Sequence, residues 1–322
     1  MADYNLEYTG ITFTNGGTRR YLYSDSPEHI APASPYSCPS IGYLTGTTFN
    51  ANERMDFEFY HHNYYGATKR FGIVVQNGNS TAVTLTLHNR AIGTSSGVQS
   101  EELEMTSRLM VNYFNSSATT VTIPANGSQF VLYTDVPNGK LVNGKLSMTS
   151  NKGNEYARIV YGDTSTSAAH YFTIVSQVAA QANFFCGQLN YIQKNATVNA
   201  NSISTFVLGE WNAARDFKNK NEYQTVLSYK SGGSKLLGGN YGVIYQITFT
   251  NLQGRRVKLY PNDFNSNQYR KCNRIVFRSG NKWYTSQLLT ASNPSTYMTL
   301  DSNVMTIVIP GGNAANLPFK IE

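Results

Sequence analysis

The 322-residue chain is long enough for two domains or for one large β-sandwich with insertions. Charged residues make up 14% of it, against about 25% in typical soluble domains, and the 23 Tyr and 16 Phe favour half-buried pleated surfaces. The net charge is +7, but the cations occur in runs of no more than two and accompany no nucleic-acid motif, so the sequence does not favour a nucleic-acid partner.

The first forty or so residues predict a hairpin followed by a proline-rich loop. Residues 8–14 and 18–23 have strand character and are separated by Asn15-Gly16-Gly17, a plausible tight turn. Four prolines then fall between positions 27 and 39, which excludes a helix or a central strand there. Residues 41–47 resume strand character.

Residues 55–94 predict three consecutive strands of one antiparallel sheet. Phe57 and Phe59 alternate with polar neighbours, a short apolar run covers 71–76, and residues 83–88 alternate again. Asn77-Gly78 follows the second run, and this dipeptide is the strongest local hairpin signal. We expect this antiparallel ribbon to be the centre of the fold.

One helix is predicted, over residues 97–115. Ser100 is its expected N-cap, and Glu101, Glu102 and Glu104 follow it near the positive end of the helix dipole. The apolar residues of this segment form a rough stripe that would cover the sheet or close one end of a barrel.

The remaining segments predict short strands separated by frequent turn signals. The predicted fold is therefore all-β, an antiparallel β-sandwich or jelly-roll-like structure with one short helix near 100–114. The small, polar stretch 162–169 is typical of a linker. It divides the chain into an N-terminal β-sandwich lobe over 1–165 and a C-terminal β-sandwich lobe over 166–322. A single intertwined sandwich is the alternative.

Five segments resemble a known family: YSDSPEH (23–29), FEFYHHN (57–63), IVVQNGNSTAVTLTL (73–87), GGNYGVIYQI (238–247) and IPGGNAANLPFKIE (309–322). In this order they resemble the all-β region of Firmicutes cell-surface and spore-surface proteins that is often found beside copper-amine-oxidase-like domains. The resemblance implies an all-β fold and extracellular display, and it supplies no catalytic residues. This sequence departs from the family pattern because it has neither a signal-peptide pattern nor a companion domain.

His61 and His62 form a candidate metal site. As neighbours on one strand they point to opposite faces of the sheet, so they cannot share an ion in regular geometry. The alternative that stays open is a metal site in which only one of these two histidines is a ligand, together with His29 or His88. Buried, hydrogen-bonded histidine is the favoured interpretation, and neither a metal nor a cofactor is predicted.

A fold-fixing polar network is predicted in place of the metal site. The resemblance places His29 in the SDSPEH loop, whose acids Asp25 and Glu28 would hold His61 or Arg54. All of these groups can form hydrogen bonds or ion pairs when buried.

Candidate ligand-stacking aromatics occur in three places. Rings of this type stack on sugar rings, although they also fill cores and form cross-strand pairs. The candidates are Tyr64, Tyr65, Trp211 and Trp283.

The three cysteines, Cys38, Cys186 and Cys272, are far apart and odd in number. This excludes a disulfide framework and a Cys-x-x-Cys site. Three interpretations stay open: buried unpaired thiols, one internal bridge with a free thiol, or an intermolecular disulfide in an assembly.

The sequence predicts that the protein is not an enzyme, because it has no Gly-x-Ser-x-Gly motif and its acids are isolated. The predicted function is a self-assembling structural surface or coat protein of a bacterial spore or cell envelope. Its partner would be itself, in a homo-oligomer, lattice or fibre. The alternatives are a carbohydrate-binding surface module, with glycans as partners, and a jelly-roll virion subunit.

No transmembrane span and no Sec signal peptide are predicted. The expected location is the outer surface of a spore or cell, reached without a Sec signal. An assembled particle in the cytoplasm is the alternative.

Overall fold

A computed structural model describes residues 11–173, 176–179, 184–209, 220–227, 234–260, 272–313 and 317–322. Most of them lie in β-strands that form three sheets, which confirms the predicted all-β sandwich fold. Among the described residues, none of the helices has the length and apolar character needed to cross a membrane.

In the described part of the chain, ten strands precede the second helix. They are β1 (Phe13–Ser24), β2 (His29–Ile30), β3 (Gly42–Thr48), β4 (Arg54–Asn63), β5 (Lys69–Asn77), β6 (Val83–Ser95), β7 (Thr119–Ile123), β8 (Ser128–Val136), β9 (Lys140–Ser150) and β10 (Glu155–Gly162). The helices are α1 (Gln99–Asn115) and α2 (His170–Thr173), with 3₁₀ turns at Lys220–Glu222 and Gly238–Asn240.

Twelve more strands follow in the described part of the chain. They are β11 (Ser176–Gln177), β12 (Cys186–Asn199), β13 (Thr205–Leu208), β14 (Thr225–Leu227), β15 (Ser234–Leu236), β16 (Ile244–Thr250), β17 (Val257–Leu259), β18 (Val276–Ser279), β19 (Lys282–Thr285), β20 (Thr296–Tyr297), β21 (Val304–Val308) and β22 (Leu317–Ile321).

A 13-stranded sheet runs through both halves of the chain, and we call it the shared sheet. Its main path is β19-β18-β21-β16-β12-β1-β4-β9-β6-β7. The first strand joins the two halves, because β1 pairs in parallel with β4 and antiparallel with β12. A five-stranded sheet, β11-β3-β10-β5-β8, and a four-stranded sheet, β13-β22-β17-β20, complete the fold.

Two apolar cores lie between these sheets. In the first, Phe57 and Phe59 of the shared sheet pack in one cluster with Phe71 and Ile159 of the five-stranded sheet. The second core contains residues of the shared sheet and of the four-stranded sheet: Val198, Ile247, Phe249, Ile307, Phe206, Leu259 and Phe319. Each half of the chain is therefore a sandwich, and one layer is common to both.

The predicted division at residue 165 stays a prediction. The first core includes Val178, and the second includes Ile11 and Phe13, so residues from each side of that position enter the opposite core.

The prediction of one ribbon over 55–94 is wrong in its pairing, although its strands are located correctly. Strand β4 pairs with β1 and β9, β5 pairs with β8 and β10, and β6 pairs with β7 and β9. The chain therefore crosses from the shared sheet to the five-stranded sheet and back. A type I′ hairpin at Asn77-Gly78 would need positive φ at both residues, and neither has it.

A buried asparagine lies at each point where the chain crosses between the two sheets. Asn63 Oδ1 accepts the Tyr65 N–H at 3.1 Å, and its Nδ2 donates to the Ala67 carbonyl at 2.8 Å. Asn77 repeats the pattern with the Asn79 N–H and the Thr81 carbonyl, at 2.8 and 2.9 Å. Each side chain therefore pairs with loop backbone at i+2 and i+4, which satisfies polar groups where the chain leaves a sheet.

The predicted opening hairpin is also wrong. Residues Phe13–Ser24 form one strand, within which Gly17 has a φ of 60°. The register against β12 shifts between Thr18 and Tyr21. The glycine-rich turn signal therefore lies within one continuous strand, just before a β-bulge between Thr18 and Tyr21.

The helix prediction is confirmed, apart from its cap. Helix α1 begins at Gln99, its N-cap is Val98, and no side chain caps it, so Ser100 lies inside the first turn. The acidic residues Glu101 and Glu102 do lie in that turn.

We expect Asn77→Ala to lower the free energy of unfolding by about 2–4 kcal/mol. The substitution removes the Nδ2 donor from the carbonyls of Thr81, Ile123 and Pro124 at a fully buried position. Chemical denaturation would measure the change. The control is Asn112→Ala on the exposed side of α1, which should change stability by less than about 0.5 kcal/mol. Equal effects of the two substitutions would contradict the role given to Asn77.

Candidate ligand-binding cleft

A cleft of about 260 Å³ lies between the shared sheet and the last turn of α1. The helix contacts β6 and β9 on one side and β18 and β19 on the other. Five strands separate β9 from β18 in the sheet order, so the sheet curls around the helix. Side chains from both halves of the chain therefore line one concave surface.

The alternation within β4 decides which side chains face the cleft. Met55, Phe57 and Phe59 belong to the first core. Asp56 and Glu58 lie on the opposite face, where both are buried. The same strand thus builds the sandwich core with one face and the floor of the cleft with the other.

Lys145 lines the floor of the cleft and forms a buried ion pair with Glu58 beneath it. The Lys145 Nζ donates to Glu58 Oε2 at 2.5 Å, to the Tyr21 hydroxyl at 2.9 Å and to the Gly242 carbonyl at 3.2 Å. The Tyr21 hydroxyl also donates to the Glu58 carboxylate. Burial and the charge of Glu58 raise the pKa of Tyr21 well above its ordinary value, so this hydroxyl keeps its proton.

Gly242 allows the turn before β16 to approach this ion pair. Its φ is 76°, and a Cβ at this position would collide with the Glu58 carboxylate. Only glycine therefore fits this position without displacing the ion pair.

One wall of the cleft carries two arginines and an aspartate. Asp56 Oδ1 accepts the Tyr113 hydroxyl at 2.8 Å, and Oδ2 accepts Arg19 Nη1 at 3.5 Å. Arg54 donates from Nε to Ser147 at 2.7 Å and from Nη2 to Asn89 at 2.9 Å. These contacts hold the polar side chains in fixed positions around the opening.

The end of the cleft is aromatic. The rings of Phe114 and Trp283 are stacked, with centroids 4.0 Å apart and an interplanar angle of 15°. The Asn115 side chain accepts the Trp283 backbone N–H at 3.1 Å and donates to the Trp283 carbonyl at 3.0 Å. These two hydrogen bonds hold the end of α1 against β19 and orient Trp283.

A second polar cluster lies at the other end of α1. His62 Nε2 is 3.4 Å from Glu102 Oε1, and His29 Nε2 is 3.8 Å from Glu28 Oε2. The His62 and Tyr64 rings are stacked at 5.6 Å. Burial raises the pKa of Glu28 and of Glu102 to about 7 and lowers the pKa of His62 to about 4, so all three side chains favour the neutral form between about pH 4 and pH 7.

His61, a member of the predicted fold-fixing network, lies on the opposite face of β4, and the network itself stays a prediction. His61 Nε2 is 3.1 Å from Ser24 Oγ, and Nδ1 is 2.7 Å from the Pro27 carbonyl. Both ring nitrogens are thus used by residues of the segment that also contains Asp25 and Glu28. Burial lowers the pKa of His61 to about 3, so the ring is neutral.

Other members of the predicted network have different contacts. Asp25 Oδ1 accepts the Phe185 N–H at 2.5 Å, and its Oδ2 accepts the Tyr23 hydroxyl at 3.3 Å. The Glu28 carbonyl accepts the His62 N–H at 2.7 Å. Within the described part of the chain, no group of three or more His, Cys, Asp or Glu side chains is arranged to hold a metal ion.

The three predicted stacking aromatics that the structure describes are not gathered in one site. Tyr64 is 43% exposed, Tyr65 packs against the first core, and Trp283 lies in the cleft. Trp211 lies outside the described residues. The three cysteines are buried, so an intermolecular disulfide would require local opening around Cys38, Cys186 or Cys272.

Several cleft residues are absent from the sequence-based candidates for ligand binding. Arg19, Asp56, Tyr113 and Lys145 come from four separate elements, and no motif links them. One signal was present: acids alternate with Phe57 and Phe59 on a strand that contributes to the core. Charges on the second face of such a strand indicate a polar interior surface.

The chain has no match among known family models. It has none among curated proteins either. Among solved structures it is similar to Clostridium perfringens ZmpB, in a structure of the M60 catalytic domain with the CBM51-1 and CBM51-2 domains, at 8% identity and a TM-score of 0.18. The match covers 99% of this chain and 39% of that chain, and a TM-score this low carries no information about fold or function.

The raised pKa of Glu102 predicts a pH-dependent stability. A carboxyl in the unfolded chain loses its proton near pH 4.3, whereas Glu102 in the folded protein keeps it to about pH 7. The unfolding free energy therefore falls as the pH rises through this window. His62 contributes the opposite slope between about pH 4 and pH 6.5, because its pKa is lowered.

Glu102→Gln isolates the carboxyl contribution. At pH 3 the Glu102 carboxyl is protonated in both the folded and the unfolded chain, so the two proteins should be equally stable. At pH 8 the variant should be more stable by on the order of 1–2 kcal/mol, because a neutral amide replaces a poorly solvated carboxylate. Urea denaturation at several pH values would measure this. A stability difference that stays constant from pH 5 to pH 8 would refute the assignment.

Proposed function

We propose that the protein is a non-enzymatic, surface-displayed β-sandwich module that binds a saccharide in the cleft between α1 and the shared sheet. The observation that carries this proposal is the composition of the cleft. Stacked Phe114 and Trp283 form one end, and polar side chains from several strands form the rest. Sugars present apolar ring faces and many hydroxyl groups, so they require this combination.

The acids of the cleft favour binding over hydrolysis. Glycoside hydrolysis commonly requires one protonated carboxyl and one carboxylate able to act as base or nucleophile. Asp56 is instead bonded to Tyr113 and Arg19, and Glu58 is bonded to Lys145 and Tyr21. Surface display is supported by the family resemblance and by the low content of charged residues.

Blocking the cleft tests this function. Ile192 lines the cleft and is half-buried, so Ile192→Trp would place a larger ring in it. The wild-type protein should bind members of a glycan array, and the variant should bind them roughly tenfold more weakly or not at all. The control is Ile203→Trp, at a half-buried position beside the second core. No binding by the wild-type protein, or equal binding by the cleft variant, would refute the proposal.

Self-association into a coat, lattice or fibre is a second candidate function, favoured by one observation. Tyr133, Tyr284 and Tyr297 are 50%, 45% and 41% exposed. They lie on β8, β19 and β20, each of which ends one of the described sheets. Exposed tyrosines on unpaired sheet edges suit strand addition by another copy of the chain.

Edge variants test this second function. If copies assemble through the edges, Tyr133→Ser combined with Tyr284→Ser should reduce the mass seen by light scattering and remove regular particles from negative-stain micrographs. Tyr64→Ser, at an exposed loop position, is the control. Particles that dissociate in reductant would implicate an intermolecular disulfide, and particles that enclose nucleic acid would favour a virion subunit. A wild-type monomer at all concentrations would exclude self-association.

A further inference from the structure

We infer that the ligand of the cleft carries an anionic oxygen group, a carboxylate or a sulfate, which Arg19 and Arg54 bind together. This inference rests on the proposed saccharide-binding function and narrows its ligand to acidic saccharides. It follows from the hydrogen-bonding groups that the cleft leaves open and from the charges around them.

The acceptors of the cleft wall are already in use. Both carboxylate oxygens of Asp56 accept hydrogen bonds, one from Tyr113 and one from Arg19. The amide of Asn89 accepts from Arg54 and donates to the Ser116 carbonyl at 3.4 Å. A ligand that mainly donates hydrogen bonds would therefore compete with bonds that the protein has already formed.

On the wall formed by Arg19, Arg54 and Asp56, the open groups are donors. Within the described residues, Arg54 uses Nε and Nη2 and leaves Nη1 without a partner. Arg19 uses only Nη1, and its side chain is 30% exposed. An acceptor-rich ligand would satisfy both arginine side chains at once.

The charges around the cleft favour an anion. Lys145 is compensated by Glu58, which leaves Arg19 and Arg54 with Asp56 as their common carboxylate. Burial first, and then the charge of Arg19, lower the pKa of Arg54. Burial and both arginines also lower the pKa of His88, which is 2.7 Å from Thr149 Oγ1. An anion placed between the guanidinium groups would relieve this repulsion.

The geometry of the guanidinium group suits a planar or tetrahedral oxyanion. Its N–H donors form a rigid fork that matches two oxygens of a carboxylate or a sulfate, and such charged hydrogen bonds are stronger than neutral ones. In this arrangement the aromatic end of the cleft would hold the sugar ring, and the arginine wall would hold its acidic group.

A glycan array with matched neutral, uronate-bearing, sialylated and sulfated members separates the outcomes. The inference expects the bound glycans to be acidic and binding to weaken as the salt concentration rises. Binding to neutral glycans as strong as to their acidic counterparts would overturn the inference and leave the saccharide-binding function standing. No binding to any glycan would remove both.

Chemical treatment of a bound glycan identifies the group. Reduction of uronate carboxyls to alcohols should abolish binding if the group is a carboxylate, and desulfation should abolish it if the group is a sulfate. Binding that survives both treatments would overturn the inference.

Arginine variants connect the charge to the residues. Arg19→Gln should weaken binding of the acidic glycan roughly tenfold to a hundredfold, since it removes charged hydrogen bonds from a partly exposed side chain. Arg54→Lys keeps the charge but loses the fork, and it should weaken binding as well. Arg108→Gln, on the exposed surface of α1, carries the same loss of charge outside the cleft and should leave binding unchanged. Equal binding by Arg19→Gln and Arg108→Gln would refute the assignment.

Discussion

The buried ion pair between Glu58 and Lys145 fixes the centre of the molecule. The two residues face each other across β4 and β9, Tyr21 adds β1, and the Gly242 carbonyl adds the turn before β16. Removal of either charge would leave the other buried without a partner, at a cost of about 3–5 kcal/mol. The pair thus couples the halves of the chain at the point where the shared sheet passes between them.

From this centre the sheet serves different purposes on its two faces. One face supplies apolar side chains to both sandwiches. The other face curls around α1, where an apolar cluster that includes Met110, Val276 and Val308 lies beside the polar cleft. The helix reaches strands that lie far apart in the sheet order, and the exchange between Asn115 and Trp283 ties its end to β19. The cleft is therefore a product of sheet curvature, and neither half of the chain could form it alone.

Local patterns predicted the elements well and their partners poorly. Alternation located β4, β5 and β6, because the period of two is a property of each strand alone. Alternation could not show that the chain passes to another sheet after Asn63 and after Asn77. The side chains of these asparagines donate to the carbonyls of Val136 and Ile123, which are distant in sequence. Arg19 and Asp56 are likewise distant in sequence and are brought together only by the pairing of β1 with β4. No spacing along the chain therefore reveals the cleft.

The double pairing of β1 has a consequence for synthesis on the ribosome. Phe13 pairs with Ala196, so this strand leaves the ribosome long before its antiparallel partner has been made. The first sandwich can close around β4 and β9 in the meantime, while the other edge of β1 stays open. Strand β12 can thus pair with an edge of β1 that is already in place when the second half folds. In an incomplete chain that edge of β1 stays exposed to other chains.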